Sequence, residues 1–261
     1  MIDKRKEAGR KGRQSGVDYE GALQEKFSGT EPEDQKDIWD EKVTRAKTDL
    51  IIGSSNYSIK NPKAPSTSTQ IQVCSANRFH RLFEPPQVVK GAINQFVGNH
   101  PKLRTKESFK GNQSVMLEVC KDWNIDFKSL DSEAEQRRSR LLTKNIVGIK
   151  DMTDWFFVNR VAIFRFALAT SFNDPKNVDT IADTIWWSSK KNSTENVREF
   201  SITGILTKVE KDAKVSISDK MSVIKIGPMT LQMKGSGTAS AYHNMQFNMS
   251  LNDLTRFMEE K

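Results

Sequence analysis

The sequence predicts an α/β fold in which helices flank a mixed central sheet and a β-rich region follows toward the C-terminus. Short strand patterns with tight turns occur near residues 50–60 and again in the last third of the chain. Apolar residues at helical spacing occupy much of the sequence between them. The 261 residues suffice for one large domain or two modest ones. We expect three regions, residues 1–100, 101–195 and 196–261, or alternatively one compact domain.

The charge balance favours a polyanionic partner. The chain has 41 Lys and Arg residues against 33 Asp and Glu residues, a formal net charge of +8, and such a balance is typical of nucleic-acid-binding proteins. No apolar run is long enough to span a membrane, and the charged N-terminus does not resemble a signal peptide. We therefore expect a cytoplasmic protein with no membrane partner, in which Cys74 and Cys120 are free thiols.

The N-terminal part predicts a basic arm followed by helices. Residues 1–16 hold six Lys and Arg residues separated by glycines, so we expect a flexible arm that either frays in solvent or contacts phosphates. Apolar residues at helical spacing over residues 17–27 predict a helix that Ser28-Gly29 ends. A second short helix is expected over residues 34–46.

A hairpin is predicted next. Residues 50–52 are a short apolar strand, residues 53–56 have turn chemistry, and residues 57–60 alternate with period two. A strand over residues 70–73 and helices over residues 76–83 and 88–97 follow.

The middle of the chain, residues 103–174, is expected to be helix-rich. Within it, residues 132–145 predict a strongly charged helix, and Asp154 is expected to cap an apolar run that forms a buried helix or strand. Trp186 and Trp187 precede Ser188, Ser189, Lys190 and Lys191. This segment could stack its rings on bases and bind phosphate, but we favour packing of at least one tryptophan in the core.

The last third returns to strand patterns. Residues 200–209 predict a strand, and residues 223–226 and 229–234 predict a second hairpin around Gly227-Pro228. Residues 235–240 are expected to form a flexible loop. A strand over residues 244–249 and a terminal helix capped by Ser250 or Asn252 complete the chain.

Three residues of the first hairpin carry the candidate chemistry. Asp49 opens one strand, and period-two geometry places Ser58 and Lys60 on one face of the next strand, beside Asp49. A carboxylate so placed can hold a divalent metal next to a phosphate. A neighbouring lysine can orient or activate water and offset charge on the phosphate.

The first hairpin resembles the active-site hairpin of the PD-(D/E)XK nuclease superfamily, and type II restriction endonucleases in particular. The resemblance lies in Thr48-Asp49-Leu50-Ile51-Ile52, a turn, and Tyr57-Ser58-Ile59-Lys60-Asn61. The family motif is Asp, a variable gap, an acidic residue, any residue, and Lys. Upstream, Gly16-Val17-Asp18-Tyr19-Glu20 resembles the family's first helix, whose Glu assists metal binding, and downstream the resemblance extends to Gln70 and Gln72.

The resemblance implies a restriction-endonuclease-like core and a Mg²⁺-dependent, sequence-specific endonuclease that hydrolyses phosphodiester bonds of double-stranded DNA at a short site. In this role Asp49 and the backbone carbonyl of Ile59 bind the metal, Lys60 positions or activates the water, Ser58 supplies a polar contact to metal or water, and Glu20 assists. The chain departs from the motif at Ser58, where the family usually has Glu or Asp. Mg²⁺ commonly keeps waters and few carboxylates, so the departure leaves a one-metal or a two-metal site open.

A second copy of the pattern, Asp219 followed by Gln232-Met233-Lys234, is the second candidate for the catalytic site. Its surroundings are rich in amide and hydroxyl groups that read base edges, and they resemble the C-terminal segment of several restriction enzymes. We therefore expect DNA contacts there, and an ordinary polar edge hairpin is the alternative. The expected contact residues are Lys225, Gln232, Lys234, Ser236, Ser240, His243, Asn244 and Gln246.

Two other functions stay open. The first is a non-catalytic DNA-binding protein that keeps a nuclease-like fold, which the missing acidic residue at Ser58 favours. The second is a repair or recombination nuclease that recognises DNA structure. The sequence also leaves open whether the protein acts as a monomer or as a homodimer.

Overall fold

The computed structural model describes residues 4–39, 43–104, 113–130, 141–217, 222–234 and 243–260. The helices there are α1 (Lys4–Phe27), α2 (Ala76–Phe83), α3 (Gln87–Phe96), α4 (Gln113–Asp122), α5 (Ile149–Val158), α6 (Arg160–Arg165), α7 (Ile202–Asp212) and α8 (Leu251–Glu259). The strands are β1 (Gln35–Lys36), β2 (Val43–Thr44), β3 (Leu50–Ile52), β4 (Ser55–Lys60), β5 (Thr69–Ser75), β6 (Thr184–Ser188), β7 (Val197–Ser201), β8 (Val215–Ile217), β9 (Val223–Ile226), β10 (Met229–Met233) and β11 (Asn244–Met249). Helices flank two main sheets, which confirms the predicted α/β class.

The chain divides into two compact units. The first is built from Met1–Thr69, Val161–Lys211 and Ser250–Lys261, and the second from Gln70–Arg160 and Asp212–Met249. Each unit therefore joins segments that are distant in the sequence, whereas the three expected regions are consecutive. The whole first hairpin belongs to the first unit.

The first unit contains a mixed four-stranded sheet in the order β3-β4-β6-β7. Strands β3 and β4 pair antiparallel across a tight turn at Gly53, whose φ of +59° suits glycine. Strand β4 runs parallel to β6, with Ser58 opposite Ile185 and Lys60 opposite Trp187.

Helix α1 packs on this sheet. Its Tyr19 and Leu23 form a buried apolar cluster with Leu50 of β3, Ile59 of β4 and Trp186 of β6. Because these apolar residues lie on one side of α1, the cluster fixes the helix relative to the hairpin that carries Asp49 and Lys60.

The second unit contains the five-stranded sheet β5-β11-β10-β9-β8. Strands β9, β10 and β11 alternate, so that Ile224, Leu231 and Phe247 are fully buried on one face. The ring centroid of Phe79 in α2 lies 6.2 Å from that of Phe156 in α5 and 6.4 Å from that of Phe247. These aromatic rings form the centre of the second core.

Most local predictions are confirmed. Both hairpins form, β5 and β11 cover the strands expected over residues 70–73 and 244–249, and α2 and α3 match the predicted helices. The hydroxyl of Ser250 accepts a hydrogen bond from the backbone N–H of Asp253 and caps α8. Cys74 and Cys120 are free and buried.

Two predictions near the N-terminus are wrong. The expected flexible arm is part of α1, which begins at Lys4, because lysine, arginine, glutamate and alanine favour helix and Glu7 pairs with Lys11 one turn later at 2.9 Å. The helix expected over residues 34–46 is replaced by the short antiparallel pair β1 and β2. There the Asp37 carboxylate accepts from the backbone N–H of Trp39 at 3.0 Å, a local bond that competes with helix.

Two predictions further along the chain are also wrong. Strand β7 ends at Ser201, and the rest of the strand expected over residues 200–209 is helix α7. Its buried positions follow helical spacing, from Ile202 to Val209, and the Ser201 hydroxyl accepts from the backbone N–H of Gly204 at 3.3 Å. Asp154 does not cap a helix: it lies inside α5, whose N-cap is Gly148, and its carboxylate pairs with Lys150.

Parts of the predicted elements lie outside the described residues, namely the loop over residues 235–240 and most of the charged helix over residues 132–145. Within the described part of the chain, no helix is both long and apolar enough to cross a membrane.

Candidate active site

The β3–β4 hairpin brings Asp49, Ser58 and Lys60 together. Asp49 immediately precedes β3, and its backbone N–H donates to the carbonyl of Tyr57 at 2.7 Å. This pairing places the Asp49 side chain beside the strand positions that follow Tyr57. Ser58 and Lys60 are two residues apart on β4 and share a face of the sheet.

Within the described residues, one oxygen of the Asp49 carboxylate makes all of its hydrogen bonds and its ion pair. Oδ2 accepts from the backbone N–H of Ile59 at 2.6 Å and from the Ser58 hydroxyl at 3.3 Å, and it lies 3.6 Å from Lys60 Nζ. Oδ1 accepts no hydrogen bond from the described part of the chain. The carboxylate is thus oriented through Oδ2, and Oδ1 is left open to a cation or to water.

Lys60 is held tightly beside this carboxylate. Its Nζ donates to the Ser58 hydroxyl at 2.7 Å and to the Ile59 carbonyl at 2.9 Å. The side chain is 12% exposed and that of Asp49 is 28% exposed. The ammonium group therefore has a defined position and still reaches solvent.

A cavity of about 410 Å³ opens next to Asp49. Besides Asp49 and Arg45, its lining includes four acidic residues, Glu20, Glu31, Glu33 and Asp34. A concentration of negative charge at one opening attracts cations and repels a bare phosphate.

The carboxyl group of Glu20 has a raised pKa. Tyr19 and Leu23 anchor α1 in the core, which leaves Glu20 on the side of the helix that lines the cavity. Burial, reinforced by the negative charge of Asp49, raises the pKa of Glu20 to about 7. Perturbed carboxyl groups in a cleft are typical of functional sites.

Two neighbours of Asp49 have features to which the sequence pattern assigns no role. Thr48 lines the cavity and is 2% exposed, and its hydroxyl has no hydrogen-bond partner in the described part of the chain. Lys47 is 8% exposed; burial, with the charge of Lys60, lowers its pKa to about 7. The sequence shows Lys47 only as one lysine among many, so no signal distinguishes it from a surface lysine.

Asp49 and its neighbours offer oxygen atoms, the ligand type that Mg²⁺ prefers. Within the described residues, no group of three or more His, Cys, Asp or Glu side chains could hold a metal. Asp49 Oδ1 is open, the Thr48 hydroxyl is unpartnered there, and the Ile59 carbonyl retains a lone pair beside the Lys60 contact.

The predicted DNA-contact residues of the second hairpin largely share one face of the five-stranded sheet. Lys225 pairs with Thr230, Gln232 pairs with Gln246, and the backbone N–H of Lys234 donates to the carbonyl of Asn244. These positions alternate with the buried apolar ones, so Lys225, Gln232, Lys234, Asn244 and Gln246 form a polar face.

The remaining residues expected to contact DNA are not shown on this polar face. His243 has a φ of +77°, and its backbone bonds to Val97 and Ala76. Ser236, Ser240 and Asp219 lie outside the described residues. Gln70 and Gln72 lie on β5, which pairs with β11 in the five-stranded sheet and not with β4.

The tryptophan pair belongs to the core. Trp187 is 0% exposed and Trp186 is also buried, which confirms core packing and leaves neither ring available to stack on a base.

Neither models of known protein families nor the curated proteins searched show a match to this chain.

Proposed function

We propose that this protein is a Mg²⁺-dependent endonuclease that cleaves double-stranded DNA at a short recognition sequence, in the manner of a type II restriction enzyme. The observation that carries the proposal is the asymmetric Asp49 carboxylate. One oxygen is fixed by the Ile59 N–H and the Ser58 hydroxyl, the other is open, and Lys60 Nζ lies 3.6 Å from the fixed oxygen. A carboxylate with one free oxygen beside a lysine can hold a metal ion and stabilise charge on a phosphate during phosphodiester hydrolysis.

The chain's own residues have distinct tasks in this reaction. Asp49 and the Ile59 carbonyl would hold Mg²⁺, which would supply Lewis-acid stabilisation of the phosphate and lower the pKa of a bound water. Lys60 donates hydrogen bonds that orient the attacking water and offset the negative charge that grows on the phosphate oxygens. Ser58 holds both Lys60 and Asp49. Water forms the new P–O bond, the bond to the 3′ oxygen breaks, and that oxygen takes a proton, leaving 5′-phosphate and 3′-hydroxyl ends.

The surrounding fold supports the same proposal. A helix packed on a mixed sheet, with the acidic and basic residues on one hairpin, agrees with a restriction-endonuclease-like core. The polar face of the second hairpin offers amide and lysine groups of the kind that read base edges and contact phosphates. We assign DNA contact to this face.

The experiment is a digest of unmethylated plasmid by the purified protein with Mg²⁺, and with EDTA as control. We expect discrete fragments with Mg²⁺ and intact plasmid with EDTA. Intact plasmid in Mg²⁺ together with a retained gel shift would instead identify a non-catalytic DNA-binding protein, the function that Ser58 at an acidic position of the motif favours. Cleavage confined to branched or damaged DNA would identify a structure-specific nuclease.

A further inference from the structure

The loop of residues 189–196 lies beside the candidate active site, within the first unit. Strand β6 runs parallel to β4, and Trp187 is directly opposite Lys60. Neighbouring strands lie about 5 Å apart, so the residues that follow β6 emerge next to Asn61, the residue after Lys60. The loop therefore leaves the sheet at the same edge as the candidate catalytic lysine.

Side-chain hydrogen bonds tie the loop to that edge and to α1. The backbone N–H of Asn192 donates to Asn61 Oδ1 at 2.8 Å, and Asn61 Nδ2 donates back to Asn192 Oδ1 at 2.8 Å. The Tyr19 hydroxyl of α1 donates to the carbonyl of Ser193 at 2.8 Å. The loop is thus fastened both to the chain that follows Lys60 and to the helix that carries Glu20.

Internal hydrogen bonds give the loop a defined shape. The buried Ser188 hydroxyl donates to the carbonyl of Ser193 at 3.2 Å. The backbone N–H of Ser189 donates to the carbonyl of Asn196 at 2.8 Å, and that of Ser193 donates to the carbonyl of Lys190 at 3.0 Å. A loop built this way holds its side chains ready before a ligand arrives, which lowers the entropy lost on binding.

The loop presents two lysines to solvent. Lys190 and Lys191 are exposed and form no ion pair or side-chain hydrogen bond within the part of the chain described. Of the neighbouring charged groups, Lys26 donates to the Thr194 carbonyl at 3.2 Å, and Glu195 is exposed on the same loop. Lys190, Lys191 and Lys26 carry three positive charges against the one negative charge of Glu195, so the loop and the lysine bound to it have a net positive charge.

We propose that the 189–196 loop binds backbone phosphates of duplex DNA next to the phosphate at Asp49, with Lys190 and Lys191 as the contacting residues. This inference rests on the proposed function. The cavity at Asp49 is acidic and repels DNA except where a cation intervenes, so the adjoining backbone requires a cationic surface to hold it. The loop supplies that surface one strand away from Lys60.

The test measures the salt dependence of duplex binding in Ca²⁺ for the wild type, for Lys190→Ala/Lys191→Ala and for a matched control, Lys121→Ala/Lys211→Ala. The control removes the same charge from exposed lysines on α4 and α7. Each lost phosphate contact lowers the slope of log K against log salt by about 0.9, so we expect the loop variant to lose about 1.8 and the control to retain the wild-type slope.

Two outcomes separate the failure of this inference from that of the proposed function. A loop variant with the wild-type slope, in a protein that cleaves DNA with Mg²⁺, overturns the phosphate contact alone. A wild-type protein that neither binds nor cleaves duplex DNA overturns the proposed function and the contact with it. Circular dichroism of the loop variant checks that the fold is retained.

Discussion

The Ser58 side chain is the point at which this chain departs from the family it resembles. Its hydroxyl is buried, accepts from Lys60 Nζ at 2.7 Å and lies 3.3 Å from Asp49 Oδ2. An acidic residue there would add a second anionic ligand for metal, whereas serine instead links the lysine and the aspartate. Ser58 therefore acts as a positioning residue for both.

Replacing Ser58 by alanine tests this role. Loss of the hydroxyl frees Lys60 Nζ from one of its two hydrogen bonds, and loss of such a supporting contact typically costs about 10- to 100-fold in activity. We expect Ser58→Ala to reduce the single-turnover cleavage rate by that factor. Ser54→Ala, at an exposed position in the turn of the same hairpin, should cleave like the wild type, and equal rates for both variants would contradict the role of Ser58.

Glu20 makes stability depend on pH. Its pKa rises from 4.5 to about 7 on folding because of burial and the charge of Asp49. Between these values the folded state binds more protons than the unfolded state, so the free energy of unfolding falls as pH rises through this window. The folded state is therefore more stable when the Glu20 carboxyl group is protonated.

Glu20→Gln mimics the neutral form at every pH. We therefore expect it to melt at a higher temperature than the wild type at about pH 8 and at nearly the same temperature below about pH 4.5, as linkage requires. Thermal melts at these two pH values check this, with Glu25→Gln at an exposed position of α1 as control. A Glu20→Gln protein that melts no higher than the wild type at about pH 8 would contradict the raised pKa.

At the scale of elements, the junction between α1 and β3 sets the position of Asp49. The backbone N–H of Thr30 donates to the carbonyl of Ile51 at 2.9 Å, and the N–H of Ile51 donates back at 2.8 Å. Gly29 lies next to this junction, and a Cβ there would come within 2.6 Å of Leu50 Cδ1 and 2.9 Å of the Ile51 carbonyl oxygen. The close approach of helix end and strand requires glycine.

Gly29→Ala should therefore destabilise the protein and disturb the site. Forcing extra volume into a packed contact costs about 1–3 kcal/mol, and the obstructed atom here is a backbone oxygen that cannot move without moving β3. Denaturant unfolding measures the cost. Gly21→Ala, in α1 with open space around the new Cβ, should instead stabilise by about 0.5–1 kcal/mol; similar effects of the two changes would contradict the close contact.

The elements that the sequence predicts correctly depend on local patterns. The first hairpin follows from period-two alternation around a glycine turn, and Ser58 and Lys60 share a face for the same reason. The helix predicted over residues 34–46 is wrong because the structure of this segment depends on a partner far along the chain. The backbone N–H of Ile38 donates to the carbonyl of Phe172 at 2.9 Å. The burial of Lys47 likewise depends on tertiary packing, including a backbone bond from its N–H to the Thr180 carbonyl at 2.8 Å.

At the scale of the whole molecule, the charge is unevenly distributed. The net charge is +8, yet the cavity beside Asp49 is acidic, and the exposed lysines of the 189–196 loop lie one strand away. The proposed function needs lysines that bind the DNA backbone and an acidic opening that binds a cation, and this separation of charge provides both.

Binding to duplex DNA should accordingly weaken steeply with salt. If the protein contacts about 6–10 phosphates, its affinity should fall about 10³- to 10⁵-fold between about 50 and 200 mM salt. Fluorescence anisotropy with a labelled duplex in Ca²⁺ measures this dependence. An affinity that does not change with salt would contradict any role of the net positive charge in binding DNA.

Single-turnover cleavage of duplex DNA in Mg²⁺ by Asp49→Ala and Lys60→Ala tests the central claim most directly. Removal of one group that stabilises transition-state charge typically costs about 10²- to 10³-fold, so we expect both variants to lose cleavage to at least this extent while they still bind duplex in Ca²⁺. If both variants cleave like the wild type and Lys234→Ala is inactive, the catalytic residues are Asp219 and Lys234, and the first hairpin is not the active site.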